Sequence, residues 1–204
     1  MSWTVSSMPI NGPTTNRQIV PADSTFEGFW DFSVRTYRTE GVADACLSLQ
    51  NDYGADVNML LYCCWIGARL GRFDDDLFDN ASKFSTHWAG EVVGPLRSAR
   101  TWMKHTGCLK EPMPTEPCMQ LREEIKSVEF AAEKLQQQVL ESLASVEGEA
   151  SGEYLEPVLA NLTLYAGFSG FELCDDVSRK LAAIICAAFP EMDEADVARA
   201  LDLR

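Results

Sequence analysis

Positive charge is scarce in this chain: 17 lysines and arginines stand against 31 aspartates and glutamates, a net charge of −14 over 204 residues. An envelope of that sign repels phosphate backbones and acidic bilayers, so neither nucleic acid nor a membrane is an expected partner. Histidine occurs only 2 times and no C-x-x-C pair is present, so zinc has no expected ligand set, and no resident metal or cofactor is expected. No apolar run reaches the roughly 20 residues of a bilayer-spanning helix. The first residues also lack the basic start and continuous apolar core of a secretory signal. Strand-like alternation and internal repeats are missing too. At 46% hydrophobic residues the chain reads as an ordinary soluble, cytoplasmic globular protein. Its cysteines, Cys46, Cys63, Cys64, Cys108, Cys118, Cys174 and Cys186, are odd in number and sit mostly in apolar helical stretches, so they read as reduced thiols packing as small hydrophobes.

What is present is helical periodicity. From Ala55 to Leu70 the chain is apolar nearly all round, with Asp56 and Asn58 in the first turn, and such a helix belongs in the centre of a bundle. Ahead of it, Ser24 and Glu27 form a capping box for a helix carrying Phe26, Phe29, Trp30, Val34 and Tyr37. Val42, Ala45, Cys46 and Leu49 follow at helical spacing between Gly41 and Gly54. After an acidic turn, Leu77, Ala81, Phe84, Trp88 and Val92 share a face, and Gly94-Pro95 is expected to break or kink that helix, with Pro95 able to open a fresh segment. Leu121, Ile125, Val128, Ala132, Leu135 and Val139 then alternate steps of four and three, a coiled-coil-like seam running on into Leu143 and Val146 that needs a partner. Residues 154–166, residues 173–189 and a short helix from Asp193 complete the pattern. The predicted architecture is all-α, a single-domain bundle of about eight helices around one buried central helix. Residues 1–24 read as a flexible lead-in (with Trp3 and Met8 able to dock on the body), residues 25–147 as the core of the helical domain and residues 148–204 as its C-terminal helices.

Two patterns point to chemistry. Arg97, Arg100 and Lys104 share one helix face, and Arg122 and Lys126 add to a basic island that also includes Lys110. Such a face can clamp a phosphate or carboxylate, or meet a protein partner; alternatively its cations pair with Glu129 and Glu133 one helix away. Asp75, Asp76 and Asp79 spell the D-D-x-x-D arrangement that holds magnesium in helical prenyl-diphosphate enzymes, but the second metal-binding element is missing at Asp175-Asp176, and acidic residues also suit a helix start without metal. Asp56 reads as the N-cap of the central helix, and Asn58 as a structural amide bonded to a neighbour. No serine or cysteine has a base partner at motif level, so no complete catalytic constellation is present.

The segments FWDFS (29–33), GVADACLSLQ (41–50), GADVNMLLYCCW (54–65), VVGPLRSAR (92–100) and LREEIKSVEFAAE (121–133) together resemble an uncharacterised bacterial family, a domain of unknown function, over roughly residues 26 to 147. The resemblance implies an all-α protein. It picks out Trp30, Gln50, Asp56, Asn58, Trp88, Pro95, Arg97, Arg100, Arg122, Lys126, Glu129 and Glu133, but not the Asp75-Asp76-Asp79 cluster, and it assigns no catalytic role. The leading expectation is a non-enzymatic interaction protein that self-associates along the 121–146 seam or meets a protein partner through the basic island. The competing expectation is an enzyme or binder that holds a small anion, such as a phosphate or diphosphate, on Arg97, Arg100, Arg122 and Lys126.

Overall fold

A helix that is apolar on every face is stable only when other helices surround it. In the computed structural model, which describes residues 27–107, 114–144 and 154–202, every residue from Val57 to Ala68 of that helix is buried. We number the helices α1 (Phe29–Arg38), α2 (Val42–Tyr53), α3 (Val57–Arg69), α4 (Asp75–Trp88), α5 (Gly94–Trp102), α6 (Thr115–Leu143), α7 (Leu155–Ser169), α8 (Asp175–Ala188) and α9 (Glu194–Ala200). The fold is an all-α bundle. Expectations that concern residues 1–24, Phe26, Cys108, Lys110, Val146 and 148–152 lie outside the described residues.

The central helix α3 packs most closely along α7, and α1, α2 and α6 touch its other sides. Gly67 permits the close approach: a Cβ added there would lie 2.6 Å from a Val158 methyl carbon. Above α3, Phe29, Tyr62 and Trp65 form one aromatic knot, with ring centroids 5.3 Å apart for Phe29 and Tyr62 and 5.4 Å apart for Phe29 and Trp65. Each such fully buried large side chain contributes about 1.5–3 kcal/mol. Helix α8 lies over α1 and α2, and α9 lies on α8.

Gly41 and Gly54 bound α2 as the spacing predicts, both with left-handed backbone at φ 82° and 73°. Ser24 of the expected capping box lies outside the described residues, and Glu27 stands ahead of α1, which begins at Phe29. The Phe29 N–H donates to Glu141 of α6 at 3.1 Å, so part of the helix end is satisfied from across the bundle, while Glu27 pairs with Arg35.

At Gly94-Pro95 the rod does not stop outright but changes its winding, and Pro95 stands in the first turn of a fresh segment, α5, as its spacing leads one to expect. Helix α4 passes through a wide turn at Ala89–Val93 directly into α5, and a second wide turn, Met103–Gly107, follows. Proline cannot donate to the carbonyl four residues back, and its ring crowds that carbonyl. The chain answers with a π-type turn, in which the Gly94 N–H donates to the Ala89 carbonyl five residues back. Gly94 fits there because a Cβ would stand 2.9 Å from the Ala89 oxygen.

Half of the expected seam on α6 faces outward. Leu121, Val128 and Leu135 are 49%, 54% and 45% exposed, while Ala132 is buried. The face of α6 turned into the bundle carries Glu129, Glu133, Gln136 and Gln137 as well as Leu140. Cys118 is disulfide-bonded, which corrects the reading of all seven cysteines as reduced thiols. No described helix is long and apolar enough to cross a membrane.

Candidate functional site

The polar residues on α6 are the key to the site, because buried amides and carboxyls must find partners. Asp56 caps α3, its Oδ1 accepting the Asn58 N–H at 2.9 Å. Its Oδ2 accepts from Ser85 Oγ at 2.5 Å and from Gln136 Nε2 at 2.7 Å. A carboxylate only accepts, so the NH₂ of Gln136 must face it and the Gln136 carbonyl is left to receive Asn58 Nδ2, at 2.7 Å. The Asn58 carbonyl in turn receives Gln137 Nε2 at 2.7 Å. One charge thereby orients three amides in series, and Gln137 Oε1 at the far end is buried without a partner. Tyr165 completes the Asp56 surroundings by accepting that residue's backbone N–H at 2.8 Å.

Ser85 belongs to α4, and beyond the wide turn the same rod presents two guanidinium groups to α6. Arg97 donates to Glu129 at 3.0 Å and to Glu133 at 2.7 Å, and Arg100 donates to Glu129 at 2.5 Å. Both glutamates are 4% exposed. Burial alone would push the Glu129 carboxyl up, but the hydrogen bonds from Arg100 and Arg97 outweigh it and hold it below the ordinary glutamate value. At Glu133 burial wins: with Arg97 offsetting it only in part and Glu129 adding to it, the carboxyl is pushed up to about 7.

Between the two groups of bonds lies a cavity of about 230 Å³, lined by Gln50, Asp56, Asn58, Arg97, Glu133 and Gln136. The wide turn closes one side with Ala89, Val93 and Gly94, and Gly54 and Ala55 close another. Gln50, Asp56, Asn58, Arg97 and Glu133 are among the positions that the family resemblance picks out. Ser85, Gln136 and Gln137 are not. Their signal in the sequence is a stripe of polar residues, Glu129, Glu133, Gln136 and Gln137, at the spacing normally used by a core.

A larger groove of about 780 Å³ between α7 and α9 is open, and none of the residues lining it is buried. It offers no fixed polar group comparable with the α6 network.

The remaining predicted residues are placed as follows. Arg122 and Lys126 both pair with Glu123, at 2.5 Å and 3.4 Å, and Lys104 is exposed in the second wide turn. The basic island is thus divided: Arg97 and Arg100 turn toward Glu129 and Glu133, and Arg122 and Lys126 toward Glu123. Asp79 pairs with Lys83 at 2.5 Å, Asp74 caps α4, and Asp75 and Asp76 are exposed in its first turn. Among the described residues no group of three or more His, Cys, Asp or Glu is arranged to hold a metal ion. Cys63 and Cys64 are buried, and burial raises both thiols, Cys64 to about 12, so neither is a ready nucleophile.

The model of a family described as "Protein of unknown function (DUF2390)" matches residues 28–140. No curated protein and no solved structure matches the chain.

Proposed function

Because the chain belongs to this family of unknown function, which names no activity, we propose from the geometry alone that the protein binds a small polar molecule in the cavity between α2, the start of α3, α5 and α6. One observation carries the reading: charged and amide side chains from separate helices are held in fixed orientations around one cavity of about 230 Å³. Small-molecule sites are characteristically concave, with a few positioned polar groups. Wide helical turns of the kind at Ala89–Val93 frequently accompany functional sites. An anion on Arg97, Arg100, Arg122 and Lys126 would have to displace Glu129, Glu133 and Glu123 from them, so the ion pairs favour a ligand of different charge.

A thermal-shift screen with small cationic, neutral and anionic polar compounds tests the proposal. A true ligand at 100 times its dissociation constant adds about 2.7 kcal/mol of stability. Hits should lose their effect in Gln50→Phe, which fills the cavity from α2 without removing an ion pair. If no compound stabilises the protein, or every hit survives that substitution, the cavity is not a binding site.

A second reading, association with a protein partner or a second copy, is favoured by the stripe of Leu121, Val128 and Leu135. These residues recur every seventh position on the outer face of α6. Such a stripe supplies one of the two apolar positions of a coiled-coil heptad.

A further inference from the structure

The cluster around the cavity, with Glu129 and Glu133 buried and Asp56, Arg97 and Arg100 half-buried, is short of positive charge. Two guanidinium groups, Arg97 and Arg100, stand against three carboxyl groups, Asp56, Glu129 and Glu133. The positive end of α3 offsets about half a unit of this, and Asp56 already caps that end. An uncompensated charge in such a place is expensive, so the cluster must either neutralise a carboxyl or acquire a cation. Only Glu133 is placed to alternate between those two conditions. It is 4% exposed and lines the cavity, whereas Glu129 is locked by two arginines and Asp56 by three donors.

We infer that the cavity takes a small primary amine in its ammonium form, which supplies the missing positive charge between Asp56 and Glu133 and donates to the Gln50 and Gln136 side of the wall. This rests on the cavity being a binding site, as proposed above, and adds the ligand's charge and its coupling to a proton. Below about pH 7 the empty site keeps a proton on Glu133 and releases it to water as the ammonium arrives; above that pH the carboxylate is already free to receive the ammonium. No covalent bond is made or broken. Anions are disfavoured by the same wall, and a neutral ligand gains nothing from the exchange.

The groups that face Glu133 fit this coupling. From α5 comes Arg97, one turn back on α6 is Glu129, and from α1 comes the Tyr37 phenol, which burial, with Cys46 of α2 and Glu133 itself, holds above its usual value and therefore uncharged. Glu133 is thus the group able to change charge near neutrality, its carboxyl standing at about 7.

The experiment compares three probes of similar size, ethylammonium, acetamide and acetate, on the full chain. The side-chain amide resonances of Asn58 and Gln136 and the carboxyl carbon of Glu133 are followed by NMR. Ethylammonium alone should move all three, and its affinity should rise about tenfold between pH 6 and pH 8 as Glu133 gives up its proton. Glu133→Gln should bind ethylammonium more weakly at pH 8 and show no pH dependence. The pH profile of the unmodified chain gives the same answer if that variant does not fold. Movement with acetate or acetamide but not with ethylammonium overturns the inference and leaves the binding cavity standing. An ethylammonium affinity that is flat with pH overturns the proton exchange. Silence with all three probes removes both the inference and the reading beneath it.

Discussion

Ser85 and Arg97 reach the same face of α6, Ser85 accepting from Gln136 Nε2 at 2.7 Å and Arg97 donating to Glu133 at 2.7 Å, although a regular α-helix would set them about a third of a turn apart. The wide turn between them takes up one extra residue, so the rod advances about three whole turns from Ser85 to Arg97 and the two side chains align. A proline that ought to end the helix is what makes that turn necessary, and so a local incompatibility brings the carboxylate network and the ion pairs onto one cavity.

The phase of this rod is open to a direct test. Deleting Gly90 together with Pro95→Ala turns the wide turn into a regular one and keeps Ser85 and Arg97 aligned, whereas inserting an alanine after Gly90 rotates everything beyond it by about 100°. The insertion should lose about 3–5 kcal/mol, because Glu129 and Glu133 would stay buried without their arginines. The deletion should lose much less. Equal losses by urea denaturation would show that the turn does not set the phase.

Charge, and not only shape, directs the amide series. Asn is as good a helix N-cap as Asp, so Asp56→Asn would change stability by only a few tenths of a kcal/mol if capping were its whole role. Its NH₂ would instead meet the donors Ser85 and Gln136, and the expected loss is about 1–3 kcal/mol. A loss below about 0.5 kcal/mol would sink the claim that the carboxylate orients Gln136 and Asn58.

Stability should fall as pH rises through the window that Glu133 defines. Its folded carboxyl stands at about 7 against an ordinary 4.5, so between those values the unfolded chain gives up its proton first and folding is progressively disfavoured. Above about 7 the effect is complete. Glu129, lowered in the fold, acts in the opposite sense: its stabilisation is present above the unfolded value and is lost as pH falls through the folded one. Glu133→Gln should therefore gain on the parent chain as pH rises from 4.5 to 7. Urea midpoints that fall in parallel for both proteins would show that another group sets the slope.

Gly67→Ala tests the packing of α3 on α7. Its Cβ would meet Val158 at 2.6 Å, and part of that contact is backbone, so relief requires the helices to separate. A loss of about 1–3 kcal/mol is expected, read as a lowered thermal midpoint. An unchanged midpoint would mean that the two helices are not tightly held at this point.

Val128→Glu probes the outer stripe of α6. Since Val128 is 54% exposed, the substitution should leave the monomer's stability within about 0.5 kcal/mol while abolishing any association through this face. Light scattering during size-exclusion chromatography decides it: a chain that is monomeric at high concentration before the change has no second copy on that stripe.

The sequence by itself determined the helices and the central place of α3. The hydrophobic period of a helix is local, and a segment apolar all round has only one stable environment. Gly41, Gly54 and the Asp56 cap were legible for the same reason, since each satisfies a requirement within its own few residues. The tertiary structure alone decided which way α6 faces. Its apolar seam and its polar stripe were both readable as periods, and apolar content favoured burying the seam; yet Leu121, Val128 and Leu135 ended outside because Glu129, Glu133, Gln136 and Gln137 find their partners on Arg97, Arg100, Ser85, Asp56 and Asn58. Those partners come from distant parts of the chain and are brought into phase by a turn around Pro95. No local period records that turn, because its hydrogen bond spans five residues in place of the four on which the helical period rests.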